Sequence, residues 1–159
     1  MADQQRRAYG DPTRYVSSLT VRFFSEFITT VVSLKGFTLD EIAIISLVAT
    51  ESTRPMVDEL GLYRDFAFED MALPDEQRPA VKLKFIYTSL GINRETARRK
   101  LNKLVERGLI VKREDGYIFP EQVGAQDYTS DVRRVQARKF MELSRHLMKI
   151  GALNPDAAD

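Results

Sequence analysis

The segment from Ile86 to Gly108 constrains the fold of this chain more than any other stretch. Ile86 and Leu90 are four residues apart, so they lie on one face of a short helix. Gly91 follows, and glycine adopts the left-handed conformation that a tight turn between two helices needs. Asn93 is a good N-cap for the next helix, because its side chain can accept a hydrogen bond from a free N–H of the first turn. The pattern predicts a helix, a turn and a second helix that ends at Gly108.

A β-hairpin is predicted immediately after this second helix. Leu109–Arg113 has the apolar and β-branched character of a strand, and Tyr117–Phe119 has the same character before a proline. Between them Glu114–Gly116 is predicted to turn, since Asp-Gly is a strong hairpin signal. We therefore expect a helix-turn-helix followed by a hairpin over residues 109–119.

The remainder of the chain is predicted to be helical, apart from one acidic segment that prolines and a glycine interrupt. A proline in the first helical position and a capping box, Thr38 with Glu41, mark two helix starts. We expect a single domain over residues 1–159, mainly α-helical with a small β-hairpin. Its predicted parts are an N-terminal helix (11–35), a first helix of the winged domain (38–53), an acidic insertion (54–80), the helix-turn-helix and hairpin (81–120) and a C-terminal helix (127–151).

The helix over residues 93–107 has an apolar face and a polar face. At about 100° per residue, its apolar residues fall within one arc and its polar residues point away from that arc. In a major groove, Arg pairs with guanine, Asn with adenine, and Glu accepts from cytosine, while flanking Lys and Arg suit phosphates. The base-reading candidates on the polar face are Glu95, Arg99 and Asn102, with Arg98 beside them. The phosphate candidates are Lys103 on the helix and Lys112 and Arg113 on the hairpin.

A basic block lies inside a chain whose net charge is only +1. Residues 81–113 contain ten Lys or Arg and two Glu, a net charge of +8, whereas residues 37–80 contain ten Asp or Glu and three Arg, a net charge of −7. A basic block is typical of proteins with a nucleic-acid partner. Two other interpretations stay open. The acidic and basic residues only face the solvent on two separate surfaces, or the acidic segment folds over the basic face and competes with DNA.

The segment from Leu83 to Phe119 resembles the winged helix-turn-helix of bacterial transcriptional regulators. Its stretch NRETARR, residues 93–99, is similar to the start of the recognition helix in the catabolite-activator type, where Ser-Arg-Glu-Thr is typical. In that family the Arg and Glu of the motif, and the Arg four residues after the Glu, read bases, and the Thr meets phosphate. The resemblance implies base contacts for Arg94, Glu95 and Arg99 and a phosphate contact for Thr96. Asn93, the N-cap, is a further phosphate candidate at the helix start. Nothing in the chain resembles a cyclic-nucleotide-binding barrel.

The order of elements is more similar to the multiple-antibiotic-resistance-regulator (MarR) type, in which terminal helices build a dimer around a winged domain. That resemblance implies a homodimer that binds double-stranded DNA and regulates transcription. The chain departs from it by the insertion at residues 54–80, which exceeds an ordinary loop in length. The insertion either has a role in ligand or partner binding or packs on the core without a separate role. Four aromatic residues either line a pocket for a small-molecule effector or belong to the core: Tyr63, Phe66 and Phe68 of the insertion, and Tyr87 of the next helix. The alternative function is a winged-helix adaptor that binds a protein and no DNA.

Composition argues against several other classes of protein. Without cysteine there is no thiol chemistry, and the single histidine, His146, is too few for a catalytic triad or a His-based zinc site. We find no glycine loop for phosphate and no nucleophile motif, so we expect no enzyme activity, no catalytic residue, no cofactor and no metal. Glu51, Asp58 and Glu59 would need further ligands to hold a metal. Because no apolar run approaches the roughly 20 residues of a membrane span, we expect a cytoplasmic protein without membrane contact.

Overall fold

The computed structural model describes residues 13–55, 73–125 and 127–153. Within these ranges the chain is mainly helical, with a small antiparallel sheet of two strands, as predicted. The elements in chain order are α1 (Thr13–Lys35), α2 (Leu39–Ser52), a 3-10 helix (Asp75–Gln77), α3 (Leu83–Leu90), α4 (Arg94–Glu106), β1 (Val111–Lys112), β2 (Tyr117–Ile118), α5 (Glu121–Ala125) and α6 (Asp127–Lys149). Among these helices, none combines the length and the apolar character that crossing a membrane takes.

The packing divides the chain into two compact units. The central unit comprises residues 35–130, and the terminal unit comprises residues 1–34 and 131–159. A single domain over residues 1–159 stays a prediction from the sequence. Several predictions fall outside the described ranges, namely the first helix start at Asp11 and Pro12 and the insertion residues Asp58, Glu59, Tyr63, Phe66 and Phe68.

Helix α2 begins with the capping box that the sequence predicts. The Thr38 hydroxyl accepts a hydrogen bond from the backbone N–H of Glu41 (3.3 Å), and the Glu41 carboxylate accepts one from the backbone N–H of Thr38 (2.8 Å). These bonds satisfy two N–H groups that a helix start leaves without partners. Glu41 is nevertheless only 1% exposed, and a glutamate is almost never buried so deeply unless it is paired.

Apolar side chains of α2, α3, α4 and β2 form the core of the central unit. On α4 the buried residues are Ala97, Leu101 and Leu104, which lie on the apolar face that helical spacing predicts. Burying each large apolar side chain contributes about 1.5–3 kcal/mol, so this core is the main source of stability for the unit. The other core residues at 0–1% exposure include Ile44, Val48, Ile86, Ile110 and Ile118.

The turn between α3 and α4 has the conformation that its sequence predicts. Gly91 adopts the left-handed region, with φ 63° and ψ 25°, and its N–H donates to the carbonyl of Thr88. Asn93 is the N-cap of α4, because its side-chain oxygen accepts a hydrogen bond from the backbone N–H of Glu95 at 2.8 Å. The turn and the cap together fix where α4 begins.

The predicted hairpin is present but its strands are shorter than expected. Strands β1 and β2 pair antiparallel over two residues each, with Val111 opposite Ile118. Leu109 and Ile110 belong to neither strand, and both side chains are buried. They connect α4 to the hairpin by filling the core.

A third chain segment, which the sequence pattern does not predict, pairs with the hairpin. The backbone N–H of Val81 donates to the Tyr117 carbonyl (2.8 Å), and the Val81 carbonyl accepts from the N–H of Tyr117 (3.0 Å). A Cβ at Gly116 would lie 2.6 Å from the Val81 carbonyl oxygen, so this close approach requires glycine. The hairpin is therefore anchored on the residue that precedes α3.

In the terminal unit, α1 packs against α6 through apolar and ionic contacts. The rings of Phe23 and Phe140 meet edge to face with centroids 6.3 Å apart, and Nζ of Lys139 lies 2.6 Å from Oε2 of Glu26. Another side of α1 is also apolar yet has no cover within the described part of the chain. We call it the outer face of α1, and it consists of Val21, Phe24, Ile28 and Val32, which are 36–65% exposed.

Candidate nucleic-acid interface

One side of α4 is exposed along its length and carries only polar or charged side chains. Glu95, Arg99, Asn102 and Glu106 lie on it, as the helical period dictates. From the first to the last of them this side extends about 16 Å, at roughly 1.5 Å per residue. The structure thus brings the three predicted base-reading residues of this face together on one exposed surface. Because two of its four residues are acidic, its chemistry is mixed rather than simply basic.

Arg98 and Glu95 form a double ion pair at the start of this surface. Nη2 of Arg98 lies 2.6 Å from Oε1 of Glu95, and Nε lies 2.9 Å from Oε2. This hydrogen bonding lowers the pKa of Glu95, and the charges of Arg94 and Arg99 lower it further. Both partners are largely exposed, so the pair presents hydrogen-bond donors and acceptors side by side to a molecule that approaches α4.

Arg94 and Arg99 carry the guanidinium groups on α4 that are most accessible to a partner. Both side chains are exposed, and within the described ranges neither forms a hydrogen bond or an ion pair. A guanidinium presents its donors in a planar fork that matches guanine or a phosphate. These two residues therefore differ from Arg98, whose donors are partly used by Glu95.

The flank of α4 that faces α2 uses its lysines for contacts inside the protein. Nζ of Lys103 lies 2.8 Å from Oε1 of Glu41. One turn earlier, Nζ of Lys100 donates to the Thr38 hydroxyl at 3.0 Å and lies 3.4 Å from Oδ2 of Asp40. Lys103, a predicted phosphate ligand, thus has a carboxylate partner within the central unit.

Arg107 extends this flank by a further turn. Its guanidinium carbon lies 4.3 Å from the centre of the Phe37 ring, which is a cation–π distance. We call Lys100, Lys103 and Arg107 the docking flank of α4, because all three contact residues 37–41 at the start of α2. The ten basic residues of the block therefore do not form a uniform surface.

The carboxylate of Glu41 is charged despite its burial. Burial raises its pKa, but hydrogen bonds from Lys103 and Thr38 lower it by more, and the resulting pKa is about 2. One carboxylate oxygen accepts from the Lys103 ammonium and the other from the backbone N–H of Thr38. Glu41 thus connects the cap of α2 directly to α4.

Residues at the start of α4 have small polar groups that suit a phosphate. Asn93 is exposed, and only its side-chain oxygen is used in capping, so its amide NH2 has no partner among the described residues. Thr96 is half-buried on the first turn. An exposed amide and a hydroxyl on the first turn of a helix are groups that can donate hydrogen bonds to a phosphate.

The hairpin presents its two basic residues differently. Lys112 is exposed and has no hydrogen bond or ion pair within the described ranges. Arg113 is half-buried, and its Nη2 donates to the backbone oxygen of Asp75 at 2.6 Å. Oδ1 of Asp75 also accepts from the N–H of Glu121 (2.7 Å) and lies 3.3 Å from Nε of the buried Arg78. The end of the acidic insertion is therefore bonded to the turn end of the hairpin and to the start of α5.

Sequence reasoning missed Glu41 and Asp75 as partners of the basic block. The capping box identifies Glu41 as a helix-start residue, but its bond to Lys103 spans 62 positions and follows no local spacing. Asp75 accepts from Arg113 through a backbone oxygen, 38 positions away, and side-chain identity does not encode such a bond. The acidic character of residues 37–80 is the one signal that points to Glu41, and it carries none for the backbone bond of Asp75.

The remaining candidate residues have ordinary surroundings. Oε2 of Glu51 lies 3.2 Å from Nη2 of Arg54, and Nδ1 of His146 lies 2.9 Å from the carbonyl oxygen of Glu142. In the described ranges, no three His, Cys, Asp or Glu side chains are grouped as metal ligands would be. Tyr87 is half-buried in α3.

Comparisons of the chain with protein-family models, with curated proteins and with solved structures gave no match.

Proposed function

We propose that this chain is a dimeric transcriptional regulator that binds double-stranded DNA in the cytoplasm through a winged helix-turn-helix. On this proposal α3 and α4 are the helix-turn-helix, α4 is the recognition helix in the major groove, and the hairpin of β1 and β2 is the wing. The observation that carries the proposal is the exposed polar side of α4, which lies directly after a glycine turn and an asparagine cap. A set of side chains of this kind matches the hydrogen-bonding groups on base edges.

The major groove admits an α-helix, and the side chains near the start of that helix contact base edges. Arg99 supplies an unpaired guanidinium for guanine, Asn102 an amide for adenine, and Glu95 a carboxylate that accepts from cytosine. Arg98 shares its donors between Glu95 and a base. The exposed side of α4 lacks apolar residues, whereas an adaptor would need an apolar patch to bury in a protein interface. This side therefore suits base edges better than it suits a protein partner.

Phosphate contacts provide most of the affinity in such complexes and fix the register of the protein on the duplex. We assign them to the groups with no internal partner among the described residues, namely Arg94, the Asn93 amide and Lys112. Arg113 holds the wing in place through its bond to Asp75, and its positive charge attracts the phosphates at longer range. The two lysines of the docking flank are engaged with residues 38–41.

We propose that a second copy of the chain covers the outer face of α1. A helix that is apolar on two sides is stable in water only when both sides are buried. Symmetric dimers bury the same surface of both copies, and a regulator dimer places its recognition helices about 34 Å apart on a roughly palindromic site. The outer face of α1 thus supports the dimer, and the DNA site is expected to have two half-sites.

Selection of bound sequences from a random duplex pool, followed by polarisation binding to the selected duplex, tests the proposal. Each phosphate neutralised lowers log K by about 0.9 per unit of log salt, so two cationic contacts per copy give a slope of about −3.6 for a dimer. We expect nanomolar binding at low salt and a half-site spacing of one or two DNA turns. A chain that binds no duplex at low salt, or binds with a slope near zero, would refute the function.

A matched pair of variants identifies the surface. Lys112→Ala on the wing is expected to reduce the salt slope, by about 0.9 for each copy in contact with phosphate. Lys149→Ala at the end of α6 removes the same charge from an exposed position of the terminal unit and is expected to leave the slope unchanged. Equal effects of both variants would mean that the affinity for the duplex depends only on the total charge of the protein.

A small-molecule effector at residues 54–80 stays a prediction from the sequence.

A further inference from the structure

The contact between α2 and α4 includes a buried charge that core packing does not require. Ala97, Leu101 and Leu104 already hold α4 on the core, since all three are 0% exposed. Taking a carboxylate out of water is costly, and removing its partner leaves that charge uncompensated. The Glu41 carboxylate is nonetheless 1% exposed and lies 2.8 Å from the Lys103 ammonium.

We propose that Glu41 is a positioning residue for DNA recognition: through Lys103 it fixes the rotation of α4 about its own axis, and thereby the direction of the base-reading side chains. The inference rests on the proposed function and deepens it. It assigns a role in sequence discrimination to a residue on α2 that lies beneath the recognition helix rather than on its exposed side.

Directional contacts add to the resistance that the packed apolar side chains of α4 already offer to rotation. A hydrogen bond weakens steeply when its angle falls. The docking flank supplies contacts at Lys100 and Lys103 of α4 and at Arg107, its C-cap, over about 10 Å along the helix axis. All three lie on one side of the helix, so together they resist its rotation.

Small rotations of α4 are sufficient to disturb base reading. A head group roughly 8 Å from the helix axis moves by about 2 Å when the helix turns by about 15°, whereas a binding geometry tolerates on the order of 0.5 Å. Arg99 and Asn102 are exposed on α4, so any rotation displaces them sideways across the base edges. Phosphate contacts from flexible Lys and Arg side chains adapt to the same rotation.

The Glu41 side chain has a fixed position from which it pairs with Lys103. Its second carboxylate oxygen is held by the backbone N–H of Thr38, so the side chain is fixed to the cap of α2 and cannot follow Lys103. Lys103 is 55% exposed and has the longer, more flexible side chain. The fixed partner therefore sets the position of the mobile one, and α4 takes its orientation from α2.

The test compares two affinities of the full chain: one for its selected duplex and one for a scrambled duplex of equal length. Glu41→Gln keeps the shape of the side chain and its bond to the Thr38 N–H but removes the charge that holds Lys103. We expect its affinity for the selected duplex to fall about tenfold, within the range of one lost base contact, while affinity for the scrambled duplex is unchanged. Glu76→Gln, an exposed carboxylate in the 3-10 helix, is the matched control and should change neither value.

Lys103→Gln separates this role from the phosphate contact that the sequence predicts for Lys103. If Lys103 positions α4, this variant lowers only the affinity for the selected duplex, like Glu41→Gln. If Lys103 binds phosphate, it lowers both affinities equally and reduces the salt slope, while Glu41→Gln frees the ammonium and raises both affinities. Since Lys103 is largely exposed, this variant keeps the test decisive even if Glu41→Gln does not fold.

The outcomes distinguish this inference from the proposed function. An unaltered chain that binds no duplex overturns both. A chain that binds its selected duplex, with the ratio of the two affinities unchanged in both variants, overturns the positioning role alone. A purely structural role for Glu41 lowers the fraction of active protein and therefore weakens both affinities by the same factor, which also contradicts the inference.

Discussion

The central and terminal units differ in how far each buries its own apolar side chains. In the central unit Ile44, Leu101 and Ile118 are 0% exposed. In the terminal unit Phe24 on α1 is 55% exposed and Met141 on α6 is 59% exposed. Both units contain helices of ordinary amphipathic sequence, so the difference lies in what surrounds them.

This difference separates two sources of stability. The central unit surrounds α4 with α2, α3 and the hairpin, so that its apolar face is closed within one chain. The terminal unit has two long helices, and two helices in contact can cover only one side of each other. Its stability therefore depends on a further surface, which we propose to be a second copy, whereas that of the central unit does not.

The largest effect that tests this comparison is expected at Leu101. Leu101→Ala removes a fully buried side chain from α4 and should lower the free energy of unfolding of the central unit by about 2–5 kcal/mol. Urea unfolding at low protein concentration, followed by amide NMR signals from each unit, measures it. Phe24→Ala is the matched change on the outer face of α1 and should have a much smaller effect on the isolated monomer. Similar losses for both would mean that the terminal unit closes its own core.

A second prediction concerns the outer face of α1 in the dimer. Phe24→Asp places a charge in the proposed interface and should raise the dimer dissociation constant by at least about 100-fold, which corresponds to roughly 2.7 kcal/mol. Sedimentation over a concentration series measures this constant. Thr29→Asp adds the same charge about 140° away around the helix, where the side chain is exposed but polar, and should change it little. A monomeric wild-type chain, or equal effects of both variants, would contradict the proposed dimer.

Local features of both units could be predicted from the sequence because short-range physics determines them. The capping box at Thr38, the left-handed turn at Gly91 and the cap at Asn93 each depend on residues within four positions. The apolar and polar sides of α4 follow from the helical period alone. The same local signals give the hairpin turn, although not the length of its strands.

Contacts between distant residues could not be predicted in this way. The Val81 bridge to Tyr117, the Glu41 bond to Lys103 and the Arg113 bond to Asp75 each join residues 36 or more positions apart. Which basic side chains are free for a ligand depends on these contacts, so the sequence predicts a basic block but not its division into the docking flank and the exposed arginines. The distribution of charge along the chain indicates that the basic side chains have acidic partners, but it does not show which residue pairs with which.

A third prediction places base discrimination in the central unit. Arg99→Ala removes an exposed guanidinium from α4 and should lower the affinity by about 1–3 kcal/mol, through the loss of preference at one base position in each half-site. Arg22→Ala removes a guanidinium from α1, where it pairs with Glu26, and should leave every base preference unchanged. Binding to a set of duplexes with single base changes measures both. Uniform weakening across that set by Arg99→Ala would assign this residue to phosphate instead.

The smallest effects concern one carboxylate in each unit, Glu41 and Glu26. In Glu26, hydrogen bonds from Lys139 and then Arg22 lower the pKa to about 2, whereas in Glu41 the hydrogen bonds outweigh burial to give the same value. A carboxyl whose pKa is lower in the folded chain than its ordinary value of 4.5 stabilises the fold fully above that value. This contribution is lost as the pH falls from about 4.5 toward 2.

The two substitutions should nevertheless differ in how far they lower stability, because water screens the charges of an exposed pair more than it screens a buried carboxylate. We expect Glu41→Gln to lower the urea midpoint clearly at about pH 7 and much less at about pH 3, where the wild-type carboxyl begins to take up a proton. Glu26→Gln should show the same trend with a smaller difference, since about a third of its side chain is exposed. An equal effect at both sites would mean that Glu26 is buried in the assembled protein, as it would be if a second copy covered the contact between α1 and α6.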